Sequence, residues 1–468
     1  INDITVASPV HIDGSLIGWF ASCCHSADIG GRLLSAEARQ VYEEGLRLPI
    51  VRLAREGRID PVIEEIIRAN VRTPDETMGD IHAQIAANVV ASAGLVRELG
   101  DLGLDRLDGV AADILDRSER AVRSAILEIP DGTGEAETFA DGFVDEELAL
   151  RCRVEVDGDE IEIDFAGSST ESRHGINVVF NYTHAYASFA VKAAIAPDVP
   201  HNAGAFRPVR VSAPEGSILN CRPPAPVAAR HIVGHFLPGL IYEALRPLMP
   251  DRLLTYGAEA LWLTVWTGRT GTDEPFVFNT FQAGGMGARA TADGLTTTGF
   301  PTGVRAAPTE VIEASTPLVQ GRRELITDSG GPGLHRGGLG QHTTMWCRSG
   351  RPWTVNANID RLVHPARGAE GGAAGARGAF FRVGGRQLPS KEHVPLDADW
   401  EVALDLPGGG GWGDPRERAA ETVLADVVDG YVSMQAARDV YGVAVEYVGD
   451  ANALVRLPEH YRIDTTAT

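Results

Sequence analysis

Cysteine is scarce in this sequence: five in 468 residues, at 23, 24, 152, 221 and 347, odd in number and without zinc-ribbon spacing. That argues against a disulfide scaffold and fits a reducing, cytoplasmic setting. Long apolar runs are lacking too; none approaches the roughly 20 residues a membrane-spanning helix needs. Positive charge falls short of negative, 42 Lys and Arg against 64 Asp and Glu, for a formal net charge of −22. A general nucleic-acid binder needs a basic face for phosphates, so that class is set aside. Nucleotide signatures are missing although glycine is abundant: no G-x-x-x-x-G-K-[ST] occurs, and no G-x-G-x-x-G leads from a clear strand into a helix. There is no G-x-S-x-G elbow, and neither Cys23 nor Cys24 has an evident base, which disfavours a covalent nucleophile. Ile1 is not an initiator Met and no charged n-region follows it. The start therefore does not read as a signal peptide, and the chain is expected to be a piece of a longer one.

With 44% hydrophobic and 23% charged residues the composition is that of a globular protein, and the length predicts two to four domains. The patterning predicts a multidomain α+β (mixed α/β) fold in four regions. Residues 1–130 open with a hairpin, strand-like at 4–10 and 16–22 around Asp13-Gly14. They continue as helices over 35–48 with Ser35 as cap, from Asp60-Pro61 through Ile67, over 80–99 and over 106–127. Residues 131–327 form a central mixed β/α region. It holds a turn cluster at Asp131-Gly-Thr-Gly134 and a second hairpin, 148–156 with 160–165, around Asp157-Gly158. A helix from Asn181 to Ile195, short strands in 206–222, a buried helix from His231 to Leu248, and strands at 261–267 and 276–282 complete it. Residues 328–413 make a glycine-rich β region, its glycines read as tight turns and close backbone packing. Residues 414–468 form a helical C-terminal segment with Ser433 capping the last helix.

The sharpest chemical clue is the open end of the first hairpin, where Asp3, His25 and Asp28 gather. With residues 13 and 14 as the loop, Asp3 faces Cys24. A three-residue loop or one bulge instead sets Asp3 opposite His25, with Cβ atoms roughly 5 Å apart. Either register leaves a carboxylate and an imidazole within reach of one divalent ion of the zinc, manganese or iron kind. The competing reading is a plain hydrogen-bonded His–Asp pair at a strand end. His231 and His235, at i and i+4, share a helix face and read first as hydrogen-bonded core histidines. Asp80 reads equally well as a helix N-cap.

In order along the chain come N-D-I-T-V-A-S-P-V, H-S-A-D-I-G-G, Y-E-E-G-L-R-L-P, N-V-R-T-P with G-D-I-H-A-Q-I-A-A-N, and A-P-E-G-S-I-L-N with R-P-P-A-P-V. D-S-G-G-P-G-L-H-R-G-G-L-G, Asp360-Arg361 and P-G-G-G-G-W-G-D-P-R follow. Together these resemble the hydantoinase B/5-oxoprolinase family, which also supplies a subunit of acetone and acetophenone carboxylases. The resemblance implies the B subunit of an ATP-dependent cyclic-amide hydrolase that opens hydantoins, 5-oxoproline or similar lactams. Its partner would be a hydantoinase A-type, actin-like subunit that uses ATP and Mg to phosphorylate the carbonyl oxygen, in an A2B2 or larger hetero-oligomer. It also implies a divalent metal held by an upstream Asp, an H-x-x-D pair and a later His. Asp3 matches the Asp of that pair and His25 the later His; the other two would precede Ile1.

By the same resemblance Asp28 is a candidate partner for His25 or a catalytic carboxylate. Arg72 is a candidate charge clamp, and Asp80 and Gln84 candidate proton-handling groups. The chain departs from the family at R-A-A-P-T-E, 305–310, where Asn-Thr is more usual, which weighs against a role for Glu310 and Glu313. A ketone carboxylase subunit and a non-catalytic scaffold are the alternatives carried beside the hydrolase.

Overall fold

The computed structural model describes residues 2–26, 28–144, 146–259, 261–450, 452–453 and 455–464. Ile1, expected above to be internal to a longer chain, lies outside them. The opening hairpin pairs β1 (Asp3–Ile12) with β2 (Ser15–His25). Asp13 and Gly14 both take positive φ, 49° and 81°, as a tight two-residue hairpin turn requires. A bulge between Val10 and His11 then shifts the ladder so that Asp3 pairs with His25.

The helix expected over 35–48 does not form; the segment carries only a 3-10 turn, Val41–Glu43. Its polar groups are used across the fold instead. Leu46 N–H donates to Ile29 O at 2.7 Å and Arg32 N–H to Glu43 O at 3.0 Å. The buried Glu44 carboxylate accepts from Val227 N and, at 2.8 Å, from Ala228 N. These bonds outweigh a weak helical period. A short ribbon of β3 (Ala54–Arg55) and β4 (Arg58–Ile59) leads to α1 (Pro61–Asn70), where Asp60 caps by accepting from Val62 N. Two longer helices follow, α2 (Pro74–Asp101) and α3 (Asp108–Ile126). Pro74 starts α2 earlier than the apolar spacing suggests, so Asp80 lies inside the helix and is not its N-cap.

The next sheet has the order β5 (Gly132–Ala140), β6 (Leu148–Asp157), β7 (Glu160–Asp164), β8 (Val209–Ser212), the last pair parallel. It is covered by α4 (Phe180–Ile195), α5 (Ala203–Phe206), α6 (His231–Gly234) and α7 (Leu237–Leu245), which share a core with it that includes Val154, Ile163, Phe165, Phe236 and Leu240. Two expectations change here. The single helix from His231 to Leu248 is broken in two, because Pro238 lacks the N–H that would continue it. The turn cluster at 131–134 is the start of β5: a Cβ on Gly134 would lie 1.8 Å from Ala244 O. Glycine there serves close approach of α7, not a turn.

Two further four-stranded antiparallel sheets follow. One runs β10 (Pro275–Gln282), β9 (Trp262–Arg269), β13 (Trp353–Asn358), β15 (His393–Leu396). The other runs β11 (Leu318–Leu325), β12 (Gln341–Cys347), β16 (Glu401–Asp405), β14 (Ala379–Arg382), with α8 (Thr309–Ser315) beside β11. Both feed one core containing Trp262, Trp266, Trp353, Phe380 and Leu404. The glycine runs pack backbone against backbone: Gly331 N–H donates to Gly409 O and Gly411 N–H to Ala373 O. A Cβ on Gly408 would meet Ser329 O at 1.7 Å.

The C-terminal segment holds α9 (Ala420–Val428) and α10 (Met434–Asp439), the latter capped by Ser433 accepting from Ala436 N. It also pairs β17 (Val445–Tyr447) with β18 (Tyr461–Ile463) and is therefore mixed where helix alone was expected. The whole is the multidomain α+β architecture the patterning predicts. Among the described residues no helix is long and apolar enough to cross a membrane.

Candidate functional site

The site is built on the open end of the hairpin, and α2 holds that end in place. Thr77, Ile81, Gln84 and Asn88 are buried on one face of α2, the stripe that a 3.6-residue period gives. Gln84 Nε2 donates to Ile4 O at 2.8 Å and Ser22 O at 2.9 Å, bridging both strands; Asn88 Nδ2 donates to Val6 O at 2.9 Å. Beyond the last rung, Ser26 N–H bonds Asn2 O at 2.8 Å and Asn2 Nδ2 bonds Ser26 O at 3.2 Å. Gln84 is thus a clamp on the ladder and not a free polar group.

On that rung His25 Nδ1 contacts Asp3 Oδ1, with the His25 side chain 56% exposed and that of Asp3 22%. Arg230 Nη2 donates to the other oxygen, Asp3 Oδ2, at 2.6 Å. Burial works to raise the Asp3 pKa, but the hydrogen bond from His25 and the charge of Arg230 outweigh it and hold the carboxyl below its ordinary value. Asp3 is an anion here. Arg230 Cζ also lies 5.2 Å from the centroid of the Tyr182 ring, and Tyr182 stacks on Tyr186 at 4.6 Å. Tyr186 in turn lies 5.3 Å from His235.

His231 and His235 have ring centroids 5.7 Å apart. Burial drives the His231 pKa well down, with smaller contributions from the charges of His235, Arg230 and His25. His231 Nε2 is buried without a hydrogen-bond partner among the described residues. Burial likewise pushes His235 down to about 3, and its Nδ1 accepts weakly from Leu261 N at 3.4 Å. Both imidazoles are neutral at pH 7.

Asp28 is fully buried and turned away from this rung. It accepts from Gly30 N at 2.8 Å, from Arg72 Nη1 at 2.9 Å and from the Arg72 backbone N–H. Arg72 Nη2 further donates to Gly31 O at 2.7 Å. The structure therefore joins Asp28 to Arg72, and Asp3 to His25, without bringing Asp28 to His25. Arg72 lines a cleft of about 470 Å³ together with Arg269, Phe276, Asn356 and His393. Asp80 is half-buried in α2, its charge felt by Cys24, whose pKa is raised first by burial and then by Asp80.

Donor chemistry at the rung suits a divalent ion: one carboxylate oxygen and one imidazole nitrogen, side by side and partly open. Among the described residues no group of three or more His, Cys, Asp or Glu converges, so the ladder end offers two ligands and not a complete set. Arg230, Tyr182 and Tyr186 escaped the sequence reading. The available signal was a lone cation in the otherwise apolar stretch P-V-A-A-R-H-I-V-G, since a buried arginine must find an anion.

Comparison with known proteins agrees over the length of the chain. The family model described as Hydantoinase B/oxoprolinase matches residues 1–415. An uncharacterized protein of Methanocaldococcus jannaschii is 30% identical over 95% of this chain and 79% of its own length. The B subunit of a putative D-/L-hydantoinase from a Pseudomonas species is 28% identical over 95% and 78%. The crystal structure of ATP-dependent caprolactamase from Pseudomonas jessenii superposes with a TM-score of 0.85 at 25% identity, covering 97% of this chain and 81% of that one.

Proposed function

Because the chain belongs to the hydantoinase B/oxoprolinase family, we propose that it is the B-type subunit of an ATP-dependent enzyme that hydrolyses cyclic amides. Hydantoins, 5-oxoproline and related lactams form the substrate class. An amide carbonyl is a poor electrophile, and phosphorylation of its oxygen by an A-type partner holding ATP and Mg would convert it to an imidate with a good leaving group. Two relatives carry names of this kind, the B chain of a putative hydantoinase and the beta chain of a caprolactamase, and those names support a partner subunit here.

Asp3 and His25 would contribute two ligands to a divalent zinc, manganese or iron ion. Such an ion, when bound, would supply water made far more acidic than bulk water and so a better nucleophile near neutral pH. This chain's own residues do the positioning. Gln84 and Asn88 fix the rung, Asn2 and Ser26 close it, and Arg230 keeps Asp3 ionised. Asp28 holds Arg72 at the cleft as a charge clamp, and Asp80 is assigned to proton handling beside the hairpin. The observation that carries the reading is the Asp3–His25 rung, in a chain that matches the family over most of its length.

The test is coupled turnover. Co-expressed with its A-type partner, the protein should release ADP in proportion to ring-opened product, with metal found by elemental assay. ADP release coupled to a carboxylated ketone, and dependent on bicarbonate, would overturn the hydrolase reading.

A further inference from the structure

We propose that residues 46–66, with the start of α2, form a self-association surface on which a second copy of this chain docks about a twofold axis. This surface takes no part in the functional reading above. Arg47 to Arg52 are six consecutive exposed residues, with Leu48, Pro49, Ile50 and Val51 between the two arginines and Ile50 fully exposed. The segment is tied at both ends. Leu46 N–H donates to Ile29 O at 2.7 Å, and Asp60 N–H donates to Leu53 O at 2.9 Å. Leu46, Leu53 and Ile59 pack on the small core of Ile67, Met78 and Ile81. α1 borders the same core through Ile63 and Ile67, yet leaves Val62 and Ile66 exposed. A helix packed on one side ordinarily spends its apolar residues on the buried stripe. Here a second apolar pair, at i and i+4, stays in water, and the loop tip flanking the same core is apolar too. Exposed apolar surface grouped in this way marks an interaction site.

Charge identifies the occupant. Residues 46–59 carry Arg47, Arg52, Arg55 and Arg58 against Glu56 alone, a basic stretch in a chain of net charge −22. Among the described residues none of these four arginines has a carboxylate partner, whereas Arg32, Arg68, Arg72 and Arg106 each have one. Copies of a strongly acidic protein repel wherever acidic faces meet, so a basic stretch is where two of them can approach. The same surface also supplies the opposite sign. Glu65 on α1 and Glu76 in the first turn of α2 are exposed and without an ion-pair partner among the described residues. A twofold contact requires one patch to hold both halves of each pairing, and this one holds unpaired arginines, unpaired glutamates and exposed aliphatic side chains. A partner of different sequence needs no such balance. Arginine is also the cation enriched in interfaces where lysine is depleted. Residues 46–66 with the start of α2 supply about the 20–30 residues a side that a standard interface uses.

The experiment is sedimentation equilibrium on the full chain alone, from about 1 to about 100 μM. Wild type should form a dimer that weakens as added salt screens the charged pairs. Arg52→Glu with Arg55→Glu turns the surface net acidic, and Glu65→Arg with Glu76→Arg turns it strongly basic. Each double variant should self-associate about a hundredfold more weakly, because like charges then face one another. Mixed in equal amounts, the two should recover a heterodimer, since an acidic surface then meets a basic one. Thermal midpoints close to wild type, expected for exposed positions, separate lost docking from lost folding. Should a double variant not fold, Ile50→Ser decides by itself: undiminished self-association overturns the proposal. A wild-type chain that stays monomeric throughout overturns it, and so does a dimer that both double variants leave unchanged. Double variants that stay apart when mixed refute the twofold pairing. Association seen only with an A-type partner, and lost in the arginine variant, also overturns the proposal, because the surface would then serve that partner.

Discussion

Asp28 and Arg72 are joined twice over: the Arg72 backbone N–H and its guanidinium both donate to the one buried carboxylate. The pair ties the loop after β2 to the start of α2, and Gly30 N–H uses what acceptor capacity remains on that side. Asp28→Asn removes the charge and replaces an acceptor by a donor facing donors. It should destabilise the protein by about 3 kcal/mol, the cost of breaking a buried charge-assisted network, read from urea unfolding. Arg72→Lys should cost less, because the Arg72 side chain is 45% exposed. If Asp28 instead served His25 directly, Asp28→Asn would act first on metal content with stability intact.

The Asp3–His25 rung makes the opposite prediction. The His25 side chain is 56% exposed, so His25→Ala should disturb folding little, whereas Asp3→Asn also leaves the largely buried Arg230 without its anion and should cost some stability. Each should strip bound metal and lower ring-opening turnover by roughly three orders of magnitude or more, since activated water supplies several kcal/mol of barrier reduction. Elemental analysis and steady-state assay of the complex give the two readouts. Unchanged metal and unchanged turnover would leave this protein as a scaffold.

Gln84, on α2, bridges the two strands of the hairpin near its open end. Replacing it by Ala leaves Ile4 O and Ser22 O without their donor, at a cost of about 1–3 kcal/mol for buried carbonyls left unmet. The hairpin should loosen from its open end, so metal affinity should drop although no ligand is touched. Asn88→Ala, farther along the ladder at Val6 O, should lower stability similarly and metal affinity less. Hydrogen exchange of the β1 and β2 amides separates the two variants. Equal effects on metal affinity would mean that α2 does not act through the open end.

What the sequence makes legible is local. Asp13-Gly14 marks the hairpin turn and narrows the partner of Asp3 to Cys24 or His25, the bulge in the structure selecting His25, and Asp60 and Ser433 mark helix starts by their own side chains. What stays hidden depends on distant chain. Arg230 reaches Asp3 across 227 residues, and Glu44 spends its carboxylate on Val227 and Ala228, so neither leaves a mark on the local pattern. Gly134 reads as a turn residue because the helix that needs its missing Cβ lies more than a hundred positions away. Gly134→Ala should therefore be severely destabilising, by about 3 kcal/mol or more, as backbone overpacking is. Gly158→Ala, at φ 58° with open space around it, should cost about 1 kcal/mol. Thermal midpoints of the two variants rank them; the reverse order would contradict the packing described for β5 and α7.

His235 gives the fold a pH dependence whose sign can be worked out. Burial is the main cause that brings its pKa to about 3, the charge of Arg230 adds to it, and a backbone hydrogen bond at Glu259 opposes it slightly. The native protein therefore holds His235 neutral, while the unfolded chain takes up a proton below about pH 6.5. Because the unfolded state binds more protons in that window, stability rises with pH across it. The contribution is fully present above about pH 6.5 and is withdrawn as pH falls toward 3. Between pH 7 and pH 4 it amounts to about 3 kcal/mol. Asp3, whose folded pKa is lowered, slopes the same way at the acid end, so the informative quantity is a difference between proteins. Urea midpoints at pH 7 and pH 4 should separate widely in wild type and draw together in His235→Gln, which keeps an acceptor for Leu261 N–H without the titrating ring. The same separation in both proteins would show that His235 is not held neutral by the fold.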